Sequence, residues 1–182
     1  MSVSPHDVVS LWFSERVKPL WFNSTPEFDA ELREHFGETL RAAGRGELED
    51  WMQSSEGALA LVIVLDQFPL NIYRGQPEAF ATEAASRRVA AAAIERGFDQ
   101  AMSDIQRAFL YLPFMHSEEP ADQDRSVTLF ETAGLTDNVK WAKHHRNIIR
   151  RFGRFPHRNA ILGRESTPEE LAYLNSEEAF KG

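Results

Sequence analysis

Hydrophobic residues recur along this chain with the period of one face of an α-helix, three to four positions apart. Two stretches show it after a capping residue and a first-turn proline, at Ser4-Pro5 and at Thr25-Pro26. No segment alternates with the period of two that a half-buried strand requires. The pattern therefore predicts an all-α fold.

The middle of the chain predicts three further helices. The stretch GALALVIVLDQF, which follows Ser54 or Ser55, is apolar on every side, so we expect a central buried helix that ends at Pro69. Pro77 opens an alanine-rich helix that ends at Gly97. Another helix starts at Asp99 or Ser103 and is broken by Pro113.

Three helices are predicted in the last third of the chain. They are 120–133, closed by Gly134; 136–152, closed by Gly153; and a short helix with a capping box at Thr167-Pro168-Glu169-Glu170. No change of composition marks a boundary, so residues 1–182 are predicted to form a single α-helical domain, a compact bundle of antiparallel helix pairs.

The amino-acid composition limits the kinds of site and the cellular compartments to be expected. The chain has 182 residues, 42% of them hydrophobic, and no cysteine, which excludes disulfides, cysteine zinc sites and thiol nucleophiles. The N-terminus lacks the basic start and continuous apolar run of a secretory signal. The longest apolar run, residues 58–65, is far shorter than the roughly 20 residues that span a bilayer. We expect a cytoplasmic protein with no membrane partner.

Charge is distributed unevenly. The net charge is -8, yet residues 138–164 contain eight Lys or Arg and no Asp or Glu, which leaves 12 basic and 28 acidic residues elsewhere. This basic segment either docks onto the protein's own carboxylates or faces an anionic ligand, since arginine offers a planar set of donors to carboxylate or phosphate. A nucleic-acid partner is not expected, because an acidic body with a pI near 5.3 repels a long polyanion.

The residues that could take part in catalysis or binding lie near the ends of predicted helices. In the helix over 136–152, His145 shares a face with Trp141, Ile148, Ile149 and Phe152, so its side chain is expected to point inward. An inward histidine is either a hydrogen-bonded core residue or a catalytic group. His116 and Glu118 follow the helix that Pro113 breaks, and Asp66 and Gln67 end the apolar helix.

The carboxylates have two interpretations. Asp66 would be costly to bury without donors, and an Arg or His of the basic segment is its natural partner. Asp66 or Glu118 is then either a general base beside a histidine or an ion-pair partner that fixes a helix to a loop. A metal site built from His116, Glu118, His145 and His157 is a less favoured alternative, and we expect neither a metal nor a cofactor.

The stretches LDQFPLNIYRG, FLYLPFMHSEE and HRNIIRRFGRFPHRNAILGRES resemble, in order and spacing, the signature blocks of the bacterial family named domain of unknown function 924. The resemblance covers almost the whole chain. It implies a helical domain of tetratricopeptide-like architecture and no established reaction. Leu70 stands where the family usually has arginine. The polar positions that the resemblance marks are Asp66, Gln67, Asn71, Arg74, His116, Glu118, His145, Arg154, His157, Arg158, Asn159 and Arg164.

Two hypotheses follow. In the first, a pocket binds a small phosphate or carboxylate compound, with hydrolytic or acid-base chemistry. Its candidate catalytic residues are Asp66, His116, Glu118, His145 and His157, and its candidate ligand-binding residues are Gln67, Asn71, Arg74, Arg154, Arg158, Asn159 and Arg164. In the second, a groove between helices captures an acidic peptide or a C-terminal carboxylate. Neither a nucleotide-binding glycine loop nor a serine hydrolase elbow occurs in the sequence.

Overall fold

The protein is all-α. The computed structural model describes residues 3–180, and no β-strand occurs within that range. The α-helices are α1 (Pro5–Trp12), α2 (Pro26–Gly44), α3 (Ser55–Val62), α4 (Phe68–Ile72), α5 (Glu83–Glu95), α6 (Asp104–Met115), α7 (Pro120–Thr132), α8 (Thr136–Phe152) and α9 (Pro168–Leu174).

By its internal contacts the chain divides into two compact units. Unit 1 comprises residues 3–74 and Glu78–Pro113, and unit 2 comprises Gly75–Pro77 and residues 114–180. The single domain over residues 1–182 and the tetratricopeptide-like arrangement of its helices stay predictions.

Most helix starts are where the capping residues predicted them. The side-chain oxygens of Ser4, Thr25, Ser54 and Thr167 each accept a hydrogen bond from a backbone N–H of the first helical turn. Capping boxes are complete at α1 and at α9, as predicted for the latter. A cap is a local interaction between residues three apart, which is why the sequence predicts it well.

The prediction that Pro69 ends the central helix is wrong. Between α3 and α4 the chain forms a wider π-helical turn, Ile63–Gln67, and the helix then continues to Ile72. A proline leaves the carbonyl four residues earlier without its helical donor. Here that carbonyl belongs to Leu65, and it accepts a hydrogen bond of 2.6 Å from the Thr82 hydroxyl. A donor from a distant part of unit 1 therefore lets the helix pass the proline.

Two other proline predictions also need correction. Pro113 lies inside α6, which ends at Met115. Phe114 and Met115, which follow the proline, are both buried, and this burial favours continuing the helix past Pro113. Pro77 opens a short 3₁₀ turn that ends at Phe80, and α5 starts only at Glu83.

Each unit has its own apolar core. In unit 1, α3 and the π-helical turn are almost completely buried and lie with the aromatic rings of Trp12, Phe68 and Phe109. By length and composition alone the segment Ser55–Ile72 could cross a membrane, but 83% of it is buried inside the protein, which is the pattern of a core helix. The absence of a membrane partner stays a prediction.

Unit 2 is built on a helical hairpin. Helices α7 and α8 pack along each other and are joined through Gly134, whose φ of 70° is in the left-handed region that favours glycine. The far end of α8 contributes Ile148 and Ile149 to a core that includes Phe155 and Tyr173. This core supports the segment that carries most of the predicted polar site.

Candidate functional site

The predicted site residues lie in both units. Asp66, Gln67, Asn71 and Arg74 belong to unit 1, and His116, Glu118, His145, Arg154, His157, Arg158, Asn159 and Arg164 belong to unit 2. Within unit 1 they form two separate hydrogen-bonded groups, and within unit 2 Glu118, Arg154, Asn159 and Arg164 share one network beside the histidines.

In unit 1, Asn71 and Arg74 bind Asp29 of α2. Arg74 Nε and Nη2 donate to the two carboxylate oxygens of Asp29 at 2.8 and 3.2 Å, and Asn71 Nδ2 donates to Asp29 Oδ1 at 2.8 Å. The Ser24 hydroxyl donates to the same oxygen. Burial alone would raise the pKa of Asp29, but these donors hold the pKa below its usual value. Asn71 and Arg74 therefore join α4 and its C-terminal end to α2.

Asp66 and Gln67 lie in the π-helical turn, and both are buried. The Asp66 carboxylate accepts hydrogen bonds from Gln67 Nε2 at 2.6 Å and from the Ser86 hydroxyl at 3.4 Å. The expected donors to Asp66 from the basic segment stay a prediction.

The basic segment is largely paired within unit 2. Lys140 pairs with Asp137, Lys143 with Glu131, Arg146 and Arg150 with Asp124, Arg151 with Glu169, Arg154 with Glu170, and Arg164 with Glu118. The acid-free run of sequence therefore lies among acidic residues from α7, α8, α9 and their connections. The first of the two interpretations of this charge, an internal ion network, describes most of the segment.

The most buried of these pairs joins Arg154 to Glu170. Arg154 Nε and Nη2 donate to the two carboxylate oxygens at 2.7 and 2.8 Å, and the Glu170 residue is only 2% exposed. Glu170 also accepts the backbone N–H of Thr167 as part of the α9 capping box. The Arg154 hydrogen bonds, more than any other cause, lower the pKa of Glu170 to about 2.

Asn159 connects this pair to a second one. Its amide nitrogen donates to Glu170 Oε2 at 3.2 Å, while its amide oxygen accepts Arg164 Nε at 3.0 Å. Arg164 in turn holds Glu118 with two hydrogen bonds of 2.7 and 2.9 Å, and Glu118 also accepts the backbone N–H of Phe155. A continuous polar network thus fixes the FGRFPHRN turn to α9 and to the residues before α7.

Glu118 has its carboxylate fully engaged in this network. Burial would raise the pKa of Glu118, but the hydrogen bonds from Arg164 and Phe155 hold the pKa below its usual value. A carboxylate with a lowered pKa is a weak proton acceptor. Its geometry is that of an ion-pair partner, the second of the two interpretations considered for it.

Next to the network, imidazole rings surround a phenylalanine. The Phe180 ring centroid lies 4.6 Å from that of His145, 5.1 Å from that of His157 and 6.3 Å from that of His144, with the rings edge to face. The Phe155 ring contacts the same two histidines, His145 and His157, at 5.6 and 5.5 Å. We call His145, His157, Phe155 and Phe180 the imidazole cluster.

The two histidines of the imidazole cluster are neutral at physiological pH. His145 is 5% exposed, as its inward orientation predicted, and burial lowers its pKa to about 3. Its Nδ1 lies 2.9 Å from the Trp141 carbonyl oxygen, so Nδ1 carries the proton. Burial and then the positive charge of Arg158 lower the pKa of His157 to about 4. Both rings are therefore uncharged hydrogen-bonding groups.

Arg158 and His116 lie at the edge of the cluster. Arg158 is 6% exposed, its guanidinium stacks 4.7 Å from the centroid of the Phe155 ring, and its Nη2 donates to the His116 carbonyl oxygen at 2.9 Å. His157 Nδ1 is buried and has no hydrogen-bond partner among residues 3–180. A buried polar atom of this kind calls for a ligand or a water.

Within residues 3–180, no three His, Asp or Glu side chains lie where they could hold a metal ion together. The structure gives no support to the alternative of a metal site at His116, Glu118, His145 and His157.

Sequence reasoning missed three residues and misplaced one. Asp29 and Phe180 carried no motif, and Glu170 was recognised only as part of a cap. Trp141 was expected on the inward face of α8 but is 55% exposed. It lies one turn before His145, and at that turn of α8 the fully buried Ala142 takes the inward position instead. A search for carboxylates near the basic segment could have found Glu170.

The comparisons agree with this architecture. The family model described as bacterial protein of unknown function (DUF924) matches residues 8–178. A solved structure of a protein of unknown function from Agrobacterium tumefaciens is 44% identical, with a TM-score of 0.88, and the match covers 94% of this chain and 96% of that one. No curated protein matches. The chain belongs to the bacterial family of unknown function DUF924.

Proposed function

We propose that unit 2 binds a small compound carrying a carboxylate or a phosphate, at His157 and Arg158. The observation that carries this proposal is the buried Nδ1 of His157, which has no hydrogen-bond partner among residues 3–180. An imidazole nitrogen in that setting is free to donate its proton to an oxygen of a ligand.

The local charge favours an anion at this place. The pKa of His157 is lowered by burial and by the positive charges of Arg158 and Arg164, and only Glu118 opposes them. A positive field that disfavours protonation of an imidazole stabilises a negative group beside it. Because His157 Nδ1 and the Arg158 side chain are buried, they suit a small anion better than a long polyanion.

The other predicted ligand-binding residues of unit 2 have positioning roles in this proposal. Arg154 and Arg164 are each held by two hydrogen bonds to a carboxylate, and Asn159 joins the two pairs. They fix the turn that carries His157 and Arg158. Preorganisation of this kind reduces the entropy lost when a ligand binds.

Acid-base chemistry would depend on the bound anion. With a pKa of about 4, His157 is unprotonated at neutral pH but is a weak base. A negative group bound beside it would raise that pKa toward neutrality, where proton transfer is efficient. Binding is thus the first step to test, and a reaction at His116, His145 or His157 the second.

The test compares thermal unfolding in inorganic phosphate or citrate with unfolding in sodium chloride of equal ionic strength. We expect both anions to raise the melting temperature, because a ligand at 100 times its Kd adds about 2.7 kcal/mol to the stability of the native state. His157→Phe keeps a ring of similar size but removes the nitrogen, so it should lose most of the increase. The matched control is His35→Phe, an exposed histidine of unit 1.

An increase that survives in His157→Phe would overturn the proposal. Arg158→Lys keeps the positive charge with fewer donors, and we expect it to weaken the response without abolishing it. Isothermal titration of phosphate into the same proteins then gives the dissociation constants directly.

A groove in unit 1 favours the second candidate function, capture of an acidic peptide. It has a volume of about 440 Å³, and its lining includes Met52, Leu61 and Val89 as well as Arg88 and Arg96. Arg88 is exposed and has no partner within the described residues. Glu49 and Asp50 line the same groove and oppose an acidic ligand, so we rank this function second.

We also propose that the protein acts in the cytoplasm. A chain without cysteine suits a reducing compartment, and its acidic composition, with a pI near 5.3, suits neither a nucleic-acid nor an anionic membrane surface.

A further inference from the structure

Phe180 occupies the centre of the imidazole cluster, although it belongs to the segment that follows α9. Its ring makes edge-to-face contacts with His144, His145 and His157 at centroid distances of 4.6 to 6.3 Å. Aromatic edge-to-face pairs prefer these separations. The histidines and Phe155 therefore form a slot whose shape and chemistry suit a flat aromatic ring.

Few interactions hold residues 176–180 in place. Phe180 N–H donates to the Tyr173 hydroxyl at 2.9 Å, the Ser176 hydroxyl and N–H both donate to the Tyr173 carbonyl, and Ala179 N–H donates to the Ser176 carbonyl. Glu177 and Glu178 are exposed and form no ion pair with another described residue. Apart from its ring and Ala179, which pack against the core of unit 2, the segment contributes little buried surface. Segments with so few buried contacts open at low free-energy cost.

An open hollow lies beside the slot. It has a volume of about 520 Å³ and is lined by Asp137, Lys140, Trp141 and His144. His144 borders both the hollow and Phe180, and the Trp141 ring lies 6.1 Å from that of His144. A ligand that enters the hollow therefore meets aromatic rings and then the position of Phe180.

We propose that Phe180 is an internal occupant of the ligand site, and that the ligand which displaces it is an aromatic carboxylate. The inference rests on the proposed function and specifies its ligand. The ring of the ligand takes the place of the Phe180 ring between His145 and His157, and its carboxylate accepts hydrogen bonds from His157 Nδ1 and the Arg158 guanidinium. Phe180 then acts as an autoinhibitory contact, because the site binds only when the segment moves away.

The experiment uses 3-phenylpropionate as the probe, since it joins a phenylalanine ring to a carboxylate. Its affinity is measured by isothermal titration for the parent protein, for Phe180→Ala and for the control Phe22→Ala. Phe22 is an 82% exposed phenylalanine of unit 1. If the site is open only part of the time in the parent, removal of the occupant lowers the apparent Kd by the inverse of the open fraction, about tenfold for a site that is open one tenth of the time.

We expect Phe180→Ala to bind 3-phenylpropionate about tenfold more tightly than the parent, while Phe22→Ala binds as the parent does. For the saturated analogue 3-cyclohexylpropionate, Phe180→Ala should increase the affinity less, because this compound lacks the aromatic ring that makes edge-to-face contacts. If Phe180→Ala fails to fold, Phe180→Leu replaces it, because leucine keeps most of the apolar volume. We expect Phe180→Leu to bind 3-phenylpropionate more tightly than the parent, by a smaller factor than Phe180→Ala.

Equal affinity of the parent and the Phe180 variants for 3-phenylpropionate would overturn the inference, as would the absence of binding to all of them. Phosphate separates this failure from that of the proposed function. If phosphate still binds the parent and not His157→Phe, the anion site stands without its aromatic occupant. If phosphate binds neither, both the site and the inference are wrong.

Discussion

Arg151 and Arg154 form ion pairs with successive residues of α9, and the two pairs differ in burial and in the number of hydrogen bonds, one for Arg151 and two for Arg154. Arg151 Nε donates to Glu169, whose side chain is 62% exposed, whereas Arg154 binds Glu170, which is 2% exposed. Exposed pairs contribute about 0 to 1 kcal/mol, but removing one partner of a buried pair leaves a charge without compensation. The buried carboxylate and the second hydrogen bond therefore both favour a larger contribution to stability from Arg154 than from Arg151.

We predict that Arg154→Ala lowers the free energy of unfolding by clearly more than Arg151→Ala does, because Glu170 loses both hydrogen bonds to the guanidinium. Arg151→Ala, the matched control, should change it by less than about 1 kcal/mol. Urea denaturation followed by circular dichroism measures both values. Similar losses of unfolding free energy in the two variants would show that the Arg154 pair stabilises the protein no more than the Arg151 pair.

The same comparison separates positioning from ligand binding. If Arg154 only fixes the turn that carries His157 and Arg158, the folded fraction of Arg154→Ala should still respond to phosphate at low temperature. A variant that is stable but no longer responds would instead make Arg154 a direct ligand contact.

At the scale of elements, the sequence predicts what local interactions determine. The starts of α1, α2 and α9 follow from caps within a single turn, and Gly153 ends α8 with a φ of 71°. The effect of a proline, in contrast, can depend on residues far away in the sequence. Whether Pro69 ends a helix depends on Thr82, which is 17 residues from the carbonyl that it satisfies.

For the candidate site too, the sequence predicted only what depends on local interactions. The residue types of the FGRFPHRN turn indicated a polar cluster, and His145 on its helical face was expected to be buried. Glu170 follows the basic segment closely in sequence and could have been named as a candidate partner. Its pairing with Arg154 and the approach of Phe180 were not predictable, because both arise only when α9 and the following segment pack on unit 2. The pairing of charges depends on this packing and is not encoded by spacing along the chain.

We predict that Thr82→Val destabilises the protein by about 1 to 3 kcal/mol, because it leaves the Leu65 carbonyl buried without its donor. Valine has nearly the shape of threonine, so packing is preserved. Thr128→Val is the control, since the Thr128 hydroxyl donates to a carbonyl within its own helix at an exposed position. Hydrogen exchange of the amides of Ile63–Gln67 should accelerate in Thr82→Val alone. Unchanged exchange would mean that the π-helical turn does not depend on Thr82.

For the molecule as a whole, we expect acid to lower the free energy of unfolding in two ranges of pH. In the unfolded chain a histidine has a pKa near 6.5, while that of His145 in the folded protein is about 3. The unfolded state therefore binds more protons below pH 6.5, and stability is lost as the pH falls from 6.5 toward 3. Glu170 loses its contribution in a lower range, from about 4.5 to about 2, because its folded pKa is about 2.

We predict that His145→Gln, which cannot titrate, weakens the loss of stability between pH 7 and pH 4.5 by about 2 to 3 kcal/mol relative to the parent, since the unfolded pKa of 6.5 lies inside this range and the folded pKa of about 3 lies below it. Glutamine can still donate to the Trp141 carbonyl. His35→Gln, at an exposed histidine, should follow the parent curve. Urea titrations at pH 7, 5.5 and 4.5 measure the difference, and a parent-like slope in His145→Gln would contradict it. Below pH 4.5 both variants should still lose stability as Glu170 becomes protonated, because the Arg154 pair is retained in each.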